Sequence, residues 1–300
     1  VGLSTDRVDA GEEFVSAGAI AEVAHAAEAA GFTSVFVTEH PYPEDQWLAT
    51  GGHHALDPFV ALAFAAAATT TVRLFTNLCV LPYRNPFLTA KAAVSLDVLS
   101  GGRLTLGVGA GYLEPEFRAL GVDFDERNDL LDEALVAMRR AWAEDGVQMR
   151  GRHFDVRGHT MLPRPLQQPH PPIWVGGNSK RAIRRAVDHA DGWTPMPNPR
   201  ALGARRRSAH LETLDELRGM LAYADGYRAA SGLAGDLEVS VMPIGVAGPG
   251  MPDYDAARFR DHVAALAAIG IDGVVLMIPA SSRAALVDRI GKFGADVISA

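Results

Sequence analysis

Cysteine is nearly absent: Cys79 is the only one in 300 residues. A single thiol excludes an internal disulfide framework and fits a reducing compartment. It lies in the apolar stretch Leu78-Cys79-Val80, where core packing is the ordinary role of a cysteine and nucleophilic work the less common one. No apolar run approaches the ~18 residues of a membrane span, and no basic-then-apolar leader opens the chain. These absences lead us to expect a soluble, cytoplasmic protein with no membrane partner. Long basic runs are missing as well, and the net charge of −8 argues against nucleic acid as a partner. The densest basic spot, Arg205-Arg206-Arg207, reads as the solvated start of a helix.

Several catalytic signatures are also missing. There is no Gly-x-Ser-x-Gly elbow, which counts against a serine hydrolase. Histidines with His-x-His or His-x-x-x-His spacing do not occur, and His53-His54 are neighbours that point in different directions, so no metal site is expected. No early strand leads into Gly-x-Gly-x-x-Gly; Gly107-Val108-Gly109-Ala110-Gly111 has the wrong spacing. That weighs against an open dinucleotide-binding sheet.

What is present is a repeat of strand and helix. Hydrophobic residues make up 48% of the chain, enough for a large core. Residues 1–3 read as the remainder of a first strand. Further strands are expected at 34–38, 72–80, 104–108, 173–175, around Trp193, at 237–246 and at 273–278. Helices are expected at 17–30, 58–69, 86–99, 125–142, 180–189, 208–230, 254–269 and from Ser281 onward. Leu130, Leu131, Ala134, Leu135 and Met138 recur at helical spacing within one of them. Close to eight βα units without a compositional break favour one closed (β/α)₈ barrel, a TIM barrel, over residues 1–300. Two long insertions interrupt it: 42–56 is polar and aromatic, and 151–172 holds a hairpin around His153-Phe154-Asp155-Val156 and then a proline-rich stretch. Long loops of this kind often serve as lids or substrate loops.

In such a barrel the chemistry belongs at the C-terminal ends of the strands. One strand ends in Glu39-His40, a carboxylate beside an imidazole. The pair reads either as proton-transfer machinery or as a surface pair whose histidine caps a loop. Another ends at Gly109-Ala110-Gly111-Tyr112. Together with Gly107, its small residues leave room for a flat ring, or they mark tight packing in a tapering barrel. A third, Ile173-Trp174-Val175, runs into Gly176-Gly177-Asn178-Ser179 and a helix. Glycines followed by a polar cap expose backbone N–H groups to an anion such as phosphate.

Taken together, Glu39-His40, Thr76-Asn77-Leu78, the run from Ser100 to Gly111 and the stretch from Pro172 to Trp193 resemble the luciferase-like superfamily. Within it, they are most similar to oxidoreductases that use the deazaflavin coenzyme F420. The resemblance implies a luciferase-like (β/α)₈ barrel with the cofactor ring at the C-terminal mouth. It also implies a non-proline cis peptide at Asn77–Leu78 under the ring, within a bulge formed by Thr76, Asn77 and Leu78. Gly109, Ala110, Gly111 and Tyr112 would line the ring, and Gly176, Gly177, Asn178 and Ser179 would take the phosphate. His40, tuned by Glu39, would be the proton carrier in a hydride transfer between the deazaflavin and a small organic substrate. A homodimer is implied too. FMN with oxygen, in a monooxygenase, is the alternative, because both phosphates can use the same turn; a non-catalytic flavin-binding barrel is another. One departure stands out: sugar dehydrogenases of the F420 group carry a glutamate acid just after the strand-four glycines, and this chain has Tyr112 there. Glu114 and Glu116 follow two and four residues later.

Overall fold

Parallel strands covered by helices on the outside and packed on each other inside must be apolar on both faces. Leu104–Gly109 shows this in full, with all six positions buried. In the computed structural model, which describes residues 1–201, 203, 207–233 and 235–300, these strands curl into one parallel sheet. Its strands are β1 (Ser34–Val37), β2 (Arg73–Thr76), β3 (Cys79–Val80), β4 (Leu104–Gly109), β7 (Ile173–Gly176), β8 (Gly192–Thr194), β9 (Glu238–Val241) and β10 (Gly273–Val274), while β5 (Val147–Arg150) and β6 (Asp155–His159) form a separate antiparallel pair. The order around the sheet is β1-β2-β4-β7-β8-β9-β10, with β3 pairing β4. Residues 1–3 close the ring as an eighth stave. Phe36 N–H donates to Val1 O (2.9 Å), Leu3 N–H to Phe36 O (2.8 Å) and Gly2 N–H to Leu276 O (2.9 Å).

The α-helices among the described residues are α1 (Ala17–Ala29), α2 (Asp45–Ala49), α3 (Pro58–Ala68), α4 (Pro86–Leu99), α5 (Glu114–Ala119), α6 (Arg127–Ala143), α7 (Lys180–His189), α8 (Leu214–Ala230), α9 (Ala256–Ala267) and α10 (Arg283–Phe293). Their starts follow the expected capping chemistry. Asp57 and Asn85 each accept first-turn N–H groups ahead of a proline, and Ser16, Ser179, Thr213 and Ser282 cap with their hydroxyls. Trp142, Trp193, Phe117 and Phe259 are fully buried.

Several boundaries move relative to the sequence reading. The expected strand over 72–80 breaks at Asn77–Leu78, which is a cis peptide. Phe75 faces Thr105 and Cys79 faces Val108, so four steps along one strand oppose three along the other, the signature of a bulge. Residues 208–213 are not helical: Leu211 bridges Asn198, and α8 starts only after the Thr213 cap. The hairpin pairs β5 with β6, so its first strand lies before Gly151. The helices α2 and α5 lie within stretches with no helix in the sequence reading, and of the arginine triplet Arg205 and Arg206 lie outside the described residues. Among the described residues no helix is long and apolar enough to cross a membrane.

Candidate active site

The strand ends enclose a cavity of about 470 Å³, within the range of small-molecule and cofactor sites. His40, Glu39, Asn77, Leu78, Gly109, Ala110, Gly111, Tyr112, Gly176, Gly177, Asn178 and Ser179 all line it. Thr76 does not: fully buried, it donates its hydroxyl to the carbonyl of Gly107 at 2.7 Å and ties β2 to β4.

Glu39 and His40 are neighbours in sequence but engage different partners. The Glu39 carboxylate accepts the Val80 N–H at 2.6 Å and the Arg84 guanidinium, which also reaches Asp57. Burial pushes its pKa up, against the pull of Arg84 and the Val80 N–H. Glu39 therefore staples the end of β1 to the segment beyond the bulge. The expectation that it tunes His40 is corrected: the carboxylate on His40 belongs to Glu116, on α5.

Glu116 is fully buried. Its Oε2 lies 3.1 Å from His40 Nδ1 and accepts the Tyr83 hydroxyl at 2.9 Å, while Oε1 accepts the Tyr42 N–H at 2.9 Å. Burial alone would raise its pKa, yet the hydrogen bonds from His40 and Tyr42 hold it below the ordinary carboxylate value. Burial and the Glu116 charge push the Tyr83 hydroxyl well above its usual value, so it stays a donor. An ionised carboxylate only accepts, so the Nδ1 of His40 carries a proton. In the neutral ring Nε2 is then the acceptor, 3.4 Å from the Tyr112 hydroxyl. Trp47, on α2, and His53 pack on the same ring with centroids 4.5 and 4.9 Å away. The result is a histidine held in one tautomer by a sealed carboxylate, an arrangement suited to moving a proton at Nε2.

The strand-four glycines have packing reasons. A Cβ on Gly107 would lie 2.0 Å from the Thr76 carbonyl oxygen, and one on Gly111 (φ +76°) 2.7 Å from Val80. Gly109 and Ala110 form cavity wall, with Leu78 3.0 Å from the place a Gly109 Cβ would take. Leu3, Phe36, Leu78, Val80, Met242 and Met277 make the lining largely apolar, which suits a ring face. Cys79 is buried and its thiol is pushed well up by that burial, as befits a core residue.

Across the mouth, Gly177 (φ +114°) leads into α7, where Ser179 accepts the Ala182 N–H at 3.1 Å. The remaining first-turn N–H groups have no partner within the helix. The Asn178 side chain is already used, donating to Met196 O and Ala209 O and accepting from Met196 N–H, so only its backbone could meet an anion. Arg127 and Arg207 line the same cavity, with their guanidinium carbons 3.8 and 5.5 Å from the centroid of the Phe124 ring. Bare amides, a helix start and two arginines fit a phosphate.

A family model described as luciferase-like monooxygenase matches residues 3–219. The chain belongs to the luciferase-like monooxygenase family. Among solved structures, monooxygenase RslO1 from Streptomyces bottropensis aligns with a TM-score of 0.79 and 24% identity over 100% of this chain and 98% of that one. An F420-dependent secondary alcohol dehydrogenase in complex with an F420-acetone adduct aligns with a TM-score of 0.73 and 18% identity, over 92% and 94%. At these identities the likeness is one of fold, and it supports the luciferase-like TIM barrel. The uncharacterized protein y4vJ of Sinorhizobium fredii is 31% identical over 205 residues, 68% of this chain and 54% of its own. An FMNH(2)-dependent dimethylsulfone monooxygenase of Pseudomonas putida is 33% identical over 130 residues, 42% of this chain and 35% of its own. The chain thus spans about half the length of curated relatives it matches. The proteins it resembles include one that uses F420 and one that uses reduced FMN.

Proposed function

We propose that this luciferase-like protein is an F420-dependent oxidoreductase that transfers a hydride between the deazaflavin and a small organic substrate. The observation that carries the reading is the Glu116–His40 pair, with Nε2 left as the working atom on a cavity-lining ring. When bound, F420 supplies a carbon-centred hydride donor and acceptor. Oxidising an alcohol in this way removes a hydride from carbon and a proton from oxygen, and His40 Nε2 takes that proton. In the reverse direction it returns the proton to a carbonyl oxygen. Glu116 holds the ring in register and stabilises the imidazolium that forms. Asn77, Leu78, Gly109, Ala110, Gly111 and Tyr112 would hold the ring system, and Gly176, Gly177, Asn178 and Ser179 with Arg127 and Arg207 the phosphate end. Thr76 supports the bulge from behind.

The second reading, an FMN-dependent monooxygenase, is favoured by the similarity to the dimethylsulfone monooxygenase and to RslO1. Separate equilibrium titrations with F420 and FMN test the choice. Tighter binding of F420 is expected; a clear preference for FMN would overturn the proposal in favour of the second reading.

A further inference from the structure

Two cavity-lining groups have no part in the proton transfer just described: Asp6, a few residues past the first stave, and His53, in the insertion after β1. Asp6 Oδ1 is buried without a hydrogen-bond partner among the described residues, as is the neighbouring Thr5 hydroxyl. An unsatisfied buried carboxylate oxygen is costly and calls for a partner.

His53 Nδ1 lies 2.9 Å from the carbonyl oxygen of His54. A carbonyl only accepts, so Nδ1 holds the proton and Nε2 of the neutral ring is an acceptor. Burial lowers the pKa of His53, against the His54 carbonyl and the Asp6 charge, which favours that neutral ring. His40 likewise leaves Nε2 as an acceptor. Asp6, His53 and His40 therefore all offer acceptors to the cavity.

The positive groups are elsewhere. In the ring order, β7, which leads into α7, lies halfway round from the stave of residues 1–3. Arg185, on α7, ties that helix to Asn128 at the start of α6, beside Arg127. The mouth is thus divided into a cationic side by α7 and an acceptor side by Asp6, His40 and His53.

Resting on the reading of the site given above, we infer that the substrate is a neutral or cationic molecule whose hydroxyl or amino hydrogens are donated to Asp6 and His53. Carboxylates are rejected at that end, because Asp6 repels them and, among the described residues of the lining, no cation stands beside it.

Calorimetric titrations with cyclohexanol, cyclohexylamine and cyclohexanecarboxylate at neutral pH test this. They use the full chain saturated with whichever of F420 or FMN it binds. If it binds neither, the proposed function fails by itself. The same titrations then run on the cofactor-free chain with excess inorganic phosphate filling the arginine side. The amine and the alcohol are expected to bind at least tenfold more tightly than the carboxylate. Asp6→Asn should weaken the amine about tenfold, lift the carboxylate and leave cofactor affinity unchanged. Equal or tighter binding of the carboxylate by the unaltered chain overturns the inference, as does binding of none of the three. An unchanged amine-to-carboxylate ratio in Asp6→Asn does so too. Should that variant melt early, the ranking of the unaltered chain decides alone.

Discussion

Replacing Glu116 by glutamine probes the site at its most confined point. The carboxylate accepts three donors: His40 Nδ1 and the Tyr83 hydroxyl on one oxygen and the Tyr42 N–H on the other. Glutamine has one oxygen and one NH₂, so in either orientation its NH₂ faces a donor. With the oxygen toward His40, the Tyr42 N–H is left unpaired; turned round, the NH₂ meets Tyr83 and His40, which must then accept, and His40 is forced into the other tautomer with Nε2 protonated. A buried donor without an acceptor costs about 1–3 kcal/mol, and a hydrogen bond to a charged group contributes about 1.5–3 kcal/mol. At about 1.4 kcal/mol for each factor of ten, loss of the charged partner of the imidazolium predicts a 10- to 100-fold fall in kcat. The cofactor dissociation constant should change little, because Glu116 does not touch the proposed cofactor surface.

The same substitution has a stability signature with a defined sign. Glu116 is held below its ordinary pKa in the folded chain, so it adds stability above the unfolded value of about 4.3 and loses that share as pH falls. The Tm gap between the unaltered chain and Glu116→Gln should therefore be widest near pH 7 and shrink on acidification below about pH 4.3. Activity assays, cofactor titrations and melting curves over pH read out all three effects. A kcat within twofold of normal, together with an unchanged Tm at pH 7, would refute the reasoning.

Other consequences are independent of the proposed chemistry. Gly107→Ala forces a Cβ to within 2.0 Å of the Thr76 carbonyl, so β2 and β4 must move apart. Denaturant unfolding should show a loss of about 1–3 kcal/mol or more, and an unchanged midpoint would contradict the packing described. Glu28 accepts the N–H groups of Thr70, Thr71 and Val72 and the Thr71 hydroxyl. Burial works against these bonds, but together they bring its carboxyl down to about 2. Glu28→Ala should lower the Tm by a few degrees at pH 7, with the difference fading from about pH 4.5 down to about pH 2. A pH-independent difference would show that the carboxylate charge plays no part.

The barrel was legible because its strands are apolar on both faces and most of its described helices open on Ser, Thr, Asp or Asn caps. Residues 1–3 could be read as a stave because a βα repeat with seven further strands leaves one place open. The partner of His40 was not legible. Adjacent residues leaving a strand project in different directions, so Glu39 turns to Arg84 and Val80 while His40 meets a carboxylate 76 positions away. The usable signal was Glu116 itself, an acidic residue shortly after the strand-four glycines. Its spacing from them differs from the glutamate expected by resemblance, because α5 carries it back beneath Tyr42 and Tyr83. Similarly, a small residue such as Gly107 looks the same in sequence whether a ligand or a neighbouring backbone fills the space beside it. Asp6 gave no pattern at all, and His53 stood out only as part of an insertion loop of the lid or substrate kind; the ring closure and that loop bring both to the cavity.

Oxygen dependence of turnover tests the central claim most directly. The chain loaded with F420 is screened under strict anaerobiosis against small alcohols and carbonyls, beside His40→Ala and beside the chain given reduced FMN in air. Oxygen-independent turnover with F420 is expected, falling sharply in His40→Ala while cofactor binding persists. Turnover that appears only with reduced FMN and oxygen, or that is unchanged in His40→Ala, would contradict that claim.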